Sequence, residues 1–338
     1  MHRFAYMQAQ TPAAAAAALA TNPNAMLKAG GVDLLDLLKE HLVTPTLIVD
    51  ISQIKELREV TIDSANGALR IGALTTFAQI AKHADVQKGW PALTQVAAGA
   101  ATPQIRNLAT IGGNLCQRPR CWYFRQEDYH CRKKGGTRCF ALEGENRYHS
   151  IFANQTCAST HPSAAAVPLL AYGATVQVMN KEGKERTLPL ADFFLAPERD
   201  VRREHVLAQD EILTAVSVPS LPQEASSAYF NLKHKQSFDW PLVEVAVVLY
   251  LAGSTIRDAR VVLGSVAPVP LRSAAAEKVL VGSSINDTTA TRAGQAATEG
   301  ATPLAHNAYK VPLLAELMRR TVLKAAGQLP AAEEVMAI

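Results

Sequence analysis

The stretch Ala25-Met-Leu-Lys-Ala-Gly-Gly-Val-Asp-Leu-Leu-Asp-Leu-Leu-Lys39 decides the fold. The apolar run from Ala25 to Ala29 reads as a short strand, and Gly30-Gly31 stops it. Leu34, Leu35, Leu37 and Leu38 then repeat with the period of a helix face. Upstream, a short strand near Phe4 to Met7 leads into an alanine-rich helix from about Pro12 to Ala20, with Thr11 at the N-cap and Pro12 at the first helical position. Downstream, Leu47, Ile48 and Val49 form a buried strand. Strand, Gly-Gly turn, helix and strand make a compact βαβ unit, expected to be right-handed. Glycine in such a turn lets backbone N–H groups approach a phosphate, and the helix N-terminus favours negative charge. Asp50 stands where a dinucleotide fingerprint places its acidic residue. The third glycine of that fingerprint is missing, because Leu35 takes its place, and this argues against a standard NAD fold.

A second glycine pair follows in Thr110-Ile-Gly-Gly-Asn114. Two such turns from separate subdomains favour a large nucleotide cofactor, although each is also compatible with a plain turn. Between them, Glu59 to Ile62 and Ala68 to Ile71 read as a hairpin about Asn66-Gly67. Thr75 to Ala84 and Trp90 to Ala98 read as helices. Thr175 to Met179, Thr187 to Pro189 and Ile212 to Pro219 read as strands, with residues 190–209 as a surface connection. Beyond a boundary near residue 222, Ala228 to Leu232, Val243 to Leu251 and Ala259 to Leu263 predict an antiparallel sheet. Helices are expected over Ser273 to Leu280, Asn286 to Ala297 and Tyr309 to Ala326.

Composition narrows the class. The chain has 338 residues, 48% hydrophobic and 19% charged, which excludes disorder and collagen-like structure. No apolar run reaches the roughly 18 residues of a membrane span. The formal charge of +4 is too mild to argue for nucleic acid. All five cysteines (Cys116, Cys121, Cys131, Cys139 and Cys157) fall within 42 consecutive residues. Residues 117–149 hold eight basic side chains (Arg118, Arg120, Arg125, Arg132, Lys133, Lys134, Arg138 and Arg147) and four acidic ones, which is the whole excess. The spacing Cys121-x9-Cys131-x7-Cys139-x17-Cys157 matches neither zinc knuckles nor the tight ferredoxin run. It leaves an iron–sulfur cluster, a structural zinc and disulfides open, although five is an odd count for disulfides. The local positive charge suits an anionic cluster. Trp122, Tyr123, Phe124 and Tyr148 read as a small private core of the insert, and the arginines as a solvated face or a docking surface.

The two glycine motifs, Lys28-Ala-Gly-Gly-Val-Asp-Leu-Leu35 and Gln104-Ile-Arg-Asn-Leu-Ala-Thr-Ile-Gly-Gly-Asn114, carry a family resemblance. Asp210-Glu-Ile-Leu213 with Val216-Ser-Val-Pro219, and Gly264-Ser-Val-Ala267 with Pro270 and Arg272, extend it over nearly the whole chain. The sequence resembles the FAD-binding medium subunit of the xanthine dehydrogenase/molybdenum hydroxylase family. Its insert, with Arg120-Cys121, Cys131, Cys139, Ala141-Leu-Glu-Gly144 and Cys157-Ala-Ser-Thr-His-Pro162, is similar to the periplasmic aldehyde oxidoreductase branch, where it holds an extra [4Fe–4S] cluster.

The resemblance implies an α+β chain: an FAD fold of the vanillyl-alcohol-oxidase/PCMH type in two subdomains, then an antiparallel sheet with a helical bundle. It places the subdomains at 1–55 and 56–221, with the iron–sulfur insert at 118–160, and the C-terminal domain at 222–338. Lys28, Ala29, Gly30, Gly31, Val32, Asp33 and Leu34 are implied to wrap the pyrophosphate. Ala101, Ile105, Ala109, Thr110, Gly113, Asn114, Cys116 and Gln117 are implied to line the flavin. Ile212 and Leu213 are implied near the isoalloxazine, with Ser163 and Lys233 as further cofactor contacts. Two departures stand out: Ser163 is followed by Ala164 where the family often has Asp, and the flavin-side lysine falls on Asn231, for which Lys233 is the substitute. Cys121, Cys131, Cys139 and Cys157 are implied as cluster ligands.

The function implied is electron transfer in a molybdenum-dependent aldehyde oxidoreductase, with no catalytic acid, base or nucleophile in this chain. Implied partners are a large molybdenum-cofactor subunit, a small subunit with two [2Fe–2S] clusters and an external electron acceptor. The alternatives are the FAD subunit of a hydroxybenzoyl-CoA reductase-type or other molybdenum hydroxylase, and a nucleotide-binding module with a structural zinc. The resemblance points to the periplasm by co-export with a partner, and the lack of an export signal fits the cytoplasm equally.

Overall fold

The computed structural model describes residues 1–234, 238–330 and 333. Residues 235–237, 331–332 and 334–338 of the C-terminal domain expected at 222–338 lie outside them. The chain divides into two compact units, each drawn from three stretches of sequence. The first comprises residues 1–79, 103–137 and 173–220, and the second residues 80–102, 138–172 and 221–338.

The first unit begins with β1 (Ala5–Gln8), α1 (Pro12–Thr21), β2 (Ala25–Lys28), α2 (Val32–Lys39) and β3 (Leu47–Asp50). The strands form a parallel sheet in the order β1-β3-β2, so the opening βαβ reading holds. Thr11 caps α1 by accepting from the Ala14 N–H, and Pro12 needs no partner for its missing N–H. Ala15, Ala16 and Leu19 pack with Val49, Ile51 and Leu57 in one apolar cluster.

A second sheet has the order β4-β5-β8-β6-β7, every neighbouring pair antiparallel. Its strands are β4 (Val60–Ile62), β5 (Leu69–Gly72), β6 (Thr175–Met179), β7 (Glu185–Pro189) and β8 (Ile212–Val218). The hairpin at Asn66-Gly67 forms, but only Gly67 is left-handed, at φ +70°. The connection is a four-residue loop, 64–67, closed by Asp63 N–H donating to Ala68 O, with Gly67 N–H donating to Asp63 O inside it, and not a two-residue turn.

In the second unit, β9 (Ala225–Lys233), β10 (Pro241–Ala252), β11 (Thr255–Gly264) and β12 (Leu271–Arg272) form an antiparallel sheet in the order β12-β11-β10-β9. From Leu242 to Leu249, β10 is buried at every position, as a central strand covered on both faces must be. Val243, Val245, Val247 and Leu249 pack with Leu314, Leu317, Met318 and Val322 of the helix Lys310–Ala325. Within this core Glu244 accepts from Tyr229 and Ser265 hydroxyls at 2.5 Å each. Lys310 is fully buried and donates to the carbonyls of Ser265 (2.6 Å) and His149 (3.1 Å).

The insert has little regular structure: the short helix Trp122–Arg125 and two 3-10 turns. Of Trp122, Tyr123, Phe124 and Tyr148, only Phe124 is buried and Tyr148 is 40% exposed, so the four do not form one enclosed core. Phe124 lies instead under Arg118, whose guanidinium carbon is 4.7 Å from the ring centroid.

Candidate functional site

The first glycine turn is anchored from below. Lys28 ends β2, and its ammonium pairs with Asp50 Oδ2 at 2.9 Å. The Tyr6 hydroxyl donates to the same oxygen, and the Ser52 N–H donates to Oδ1 at 2.7 Å. Burial alone would raise the Asp50 carboxyl, but the hydrogen bonds from Tyr6, Ser52 and Lys28 outweigh it and hold it at about 2. Asp50 is therefore a clamp on the turn rather than a fingerprint acid.

Gly30 admits no side chain, because a Cβ there would stand 1.8 Å from the Leu108 carbonyl oxygen. Gly31 is left-handed at φ +78° and caps α2 without any side-chain acceptor. The first-turn N–H groups of this eight-residue helix thus keep their demand for an anion. At the second turn, Thr110 Oγ1 accepts from the Gly113 N–H at 3.2 Å. The Gly112 N–H donates to Ala73 O at 2.9 Å, which pins this turn to the residue after β5.

Both turns open on one cavity of about 720 Å³ inside the first unit, a volume in the range of cofactor clefts. Ala29 to Leu34 line it, as do Ala109, Thr110, Gly113 and Asn114. So do Cys116 and Gln117, and Ile212 and Leu213. Burial pushes the Cys116 thiol up to about 12, so it lines the cavity as a neutral group.

Five expected contacts are not among the lining residues. Lys28 is engaged by Asp50, and Ile105 is 38% exposed. Ala101, Ser163 and Lys233 belong to the second unit. There Ser163 Oγ accepts from the Ala166 N–H at 3.2 Å, and the Lys233 ammonium donates to Gly99 O at 2.9 Å. Ala101 holds a left-handed φ of +47°, a conformation that costs a residue with a Cβ about 1–2 kcal/mol.

Other lining residues escaped the reading of the sequence. Residues 190–209 are not merely a surface connection, since Arg202, Arg203, Glu204, His205 and Leu207 line the cavity, as do Arg118 and Arg120. The His205 ring stacks on Phe193 at 5.4 Å, and burial pulls its imidazole down to about 4, so it is neutral near pH 7. The only available signal was the alternation of arginine with acid, which sequence alone does not distinguish from a solvated face.

Asp33, in the first turn of α2, would repel a phosphate if left bare. It pairs with Arg120 at 2.5 Å and Arg125 at 2.7 Å, and it accepts from the Arg118 N–H at 2.9 Å. Burial acts to raise its carboxyl, and these cations and the N–H outweigh that and lower it. Arg118, Arg120, Arg125 and Lys133 therefore direct their charge at Asp33, Asp36 and Glu204 of the scaffold.

Cys121 and Cys131 belong to the first unit, and Cys139 and Cys157 to the second. Burial is the main cause that lowers the Lys134 ammonium, with Cys131, Cys121, Glu127 and Asp128 opposing it. Cys139 and Cys157 are hydrogen-bonded thiols, and that bond, with burial, raises Cys139 well above the ordinary thiol range. Among the described residues no two cysteines form a disulfide. Among the described residues no three His, Cys, Asp or Glu side chains form a group able to hold a metal ion. The same residues contain no helix long and apolar enough to cross a membrane.

The cavity's features fit FAD: two close glycine approaches, an uncapped helix N-terminus and an apolar wall at Ile212 and Leu213. Comparison with known proteins agrees. Residues 2–221 match the FAD binding domain in molybdopterin dehydrogenase, and residues 227–325 the CO dehydrogenase flavoprotein C-terminal domain. The chain is 37% identical over 282 residues to the aldehyde oxidoreductase FAD-binding subunit of Escherichia coli, covering 83% of this chain and 86% of the relative. It is 27% identical over 303 residues to the carbon monoxide dehydrogenase medium chain of Hydrogenophaga pseudoflava, 88% of each. Among solved structures, carbon monoxide dehydrogenase from that organism superposes with a TM-score of 0.76 at 26% identity, covering 97% of this chain and 99% of the other. Quinoline 2-oxidoreductase from Pseudomonas putida gives 0.75 at 25% identity, with the same coverage. Glycine turns, cavity and relatives converge: the chain belongs to the family of FAD-binding domains in molybdopterin dehydrogenases and is the FAD subunit of an oxidoreductase.

Proposed function

We propose that this chain is the electron-transfer subunit of a molybdenum-dependent aldehyde oxidoreductase. The cavity with two glycine turns carries the reading, and the aldehyde assignment is supported by the 37% identical relative. When bound, FAD supplies a centre that takes up electrons and passes them to an external acceptor. The chain's own residues do the rest. The N-terminus of α2 holds the pyrophosphate, Gly30 and Gly113 let backbone approach it, and Ile212 and Leu213 give the ring system an apolar bed. Neutral Cys116 and neutral His205 add no charge beside it. The first unit suits the vanillyl-alcohol-oxidase/PCMH type of FAD fold. The partners are a large molybdenum-cofactor subunit and a small subunit with two [2Fe–2S] clusters.

We further propose that Cys121, Cys131, Cys139 and Cys157 bind a [4Fe–4S] cluster. This reading is supported by the four-cysteine spacing of the insert and its likeness to the aldehyde oxidoreductase branch; the four thiols do not themselves form a metal-holding group among the described residues. Co-expression with the two partner subunits, followed by flavin and iron analysis, tests both. Flavin absorption that bleaches on adding an aldehyde supports the aldehyde oxidoreductase. Flavin that bleaches only with another substrate class refutes that assignment. Iron in excess of what the small subunit holds supports the cluster, and no excess refutes it.

A further inference from the structure

Arg118 touches both walls of the cofactor cavity. Its N–H donates to Asp33 Oδ2 at 2.9 Å, at the N-terminus of α2. Its guanidinium meets Glu204 at 2.8 Å through Nε and donates to Arg202 O at 2.9 Å, on the opposite segment. Asp33, Arg118, Arg202 and Glu204 all line the cavity. Lys133, fifteen residues on, reinforces the second contact by donating to Glu204 Oε1 at 2.8 Å and Val201 O at 3.1 Å.

These pairs are not surface decoration. The side chains of Lys133 and Glu204 are 5% and 9% exposed, and Arg118 is 24% exposed. An ion pair this enclosed is screened weakly by salt and is costly to break on one side only. The insert thus begins as a bridge between the first turn of α2 and residues 201–204.

We propose that Arg118 and Lys133, acting through Glu204, are positioning residues that hold the cavity walls together and retain FAD. The walls part only when these contacts break, so the bridge sets the rate of FAD exit. The basic character of the first half of the insert has a local purpose in this: four of its cations are committed to the scaffold that grips the cofactor.

The test is FAD release from the loaded full-length chain, followed by the rise of free-flavin fluorescence on dilution. Glu204→Gln should speed release about tenfold or more, as loss of one partner of an enclosed pair implies. Lys133→Met, which leaves Arg118 in place, should give a smaller acceleration. Arg118→Lys, which keeps a cation at that position, should release more slowly than Arg118→Ala. Thermal midpoints of the FAD-free proteins separate retention from folding: the release rates should spread more widely than those midpoints predict. Release rates equal to wild type in Glu204→Gln and Lys133→Met overturn the proposal. So do accelerations that track the loss of FAD-free stability one for one. If Glu204→Gln does not fold, the Lys133 and Arg118 variants decide the matter alone.

Discussion

Lys28 Nζ and Asp50 Oδ2 stand 2.9 Å apart at the foot of the first glycine turn, joining the ends of two adjacent parallel strands. Asp50 is 3% exposed, and its carboxyl is held at about 2 against an ordinary 3.8. A group with a depressed folded value stabilises the fold above its unfolded value and loses that contribution as pH falls towards the folded one. Asp50→Asn should therefore destabilise the protein by about 1–3 kcal/mol at pH 7. Denaturant titrations should show that difference shrinking between pH 4 and pH 2, the window bounded by those two values.

The buried Lys310 gives a dependence of the same sign in a higher pH window. Desolvation is the main cause that brings its ammonium down from 10.5 to about 7, with the Glu244 charge opposing it. Between about pH 7 and 10.5 the unfolded chain binds the proton more readily than the folded one, so the lysine's contribution to stability rises with pH there. Lys310→Met should flatten that rise. Thermal melts of both proteins from pH 7 to 10 measure it, and parallel curves would refute the assignment.

Cys116 should resist alkylation. Its thiol is raised to about 12 by burial, and only the thiolate is an effective nucleophile. Peptide mapping after iodoacetamide treatment at pH 8 should find Cys116 unmodified in the native chain and modified after denaturation. Ready labelling of the native protein would contradict its place in the cavity wall.

Cys131→Ser separates the two proposed redox groups. If Cys131 is a cluster ligand, the variant should lose the iron carried by this chain while FAD stays largely bound, because Cys131 is not among the residues lining the cavity. Iron and flavin determined on the same sample decide it. Iron equal to wild type would remove Cys131 from the ligand set.

Much of this was legible in the sequence because it is local. Gly30-Gly31 after an apolar run, leucines at helical spacing and Thr11-Pro12 at a helix start each fix backbone conformation within a few residues. The C-terminal strands were visible for the same reason, as continuous valine and leucine runs. What stayed hidden depends on distant pairing. Nothing near Arg118 in sequence announces Asp33 or Glu204, 85 and 86 residues away. Arg202 to His205 read as a surface segment because alternating charges look alike whether they face solvent or a cofactor cleft. Lys233 was placed by analogy of strand position, which fixes a face but not the partner, here the Gly99 carbonyl.

The central claim is that FAD sits against the first glycine turn, and Gly30 tests it most directly. A Cβ at this position would stand 1.8 Å from the Leu108 carbonyl oxygen, so the backbone must move for Gly30→Ala to fold. Flavin content of the full-length chain, measured after identical purification, is the measurement. One FAD per wild-type chain, with FAD largely lost from a folded Gly30→Ala variant, is the result the account predicts. A folded variant that retains FAD at the wild-type level would contradict it.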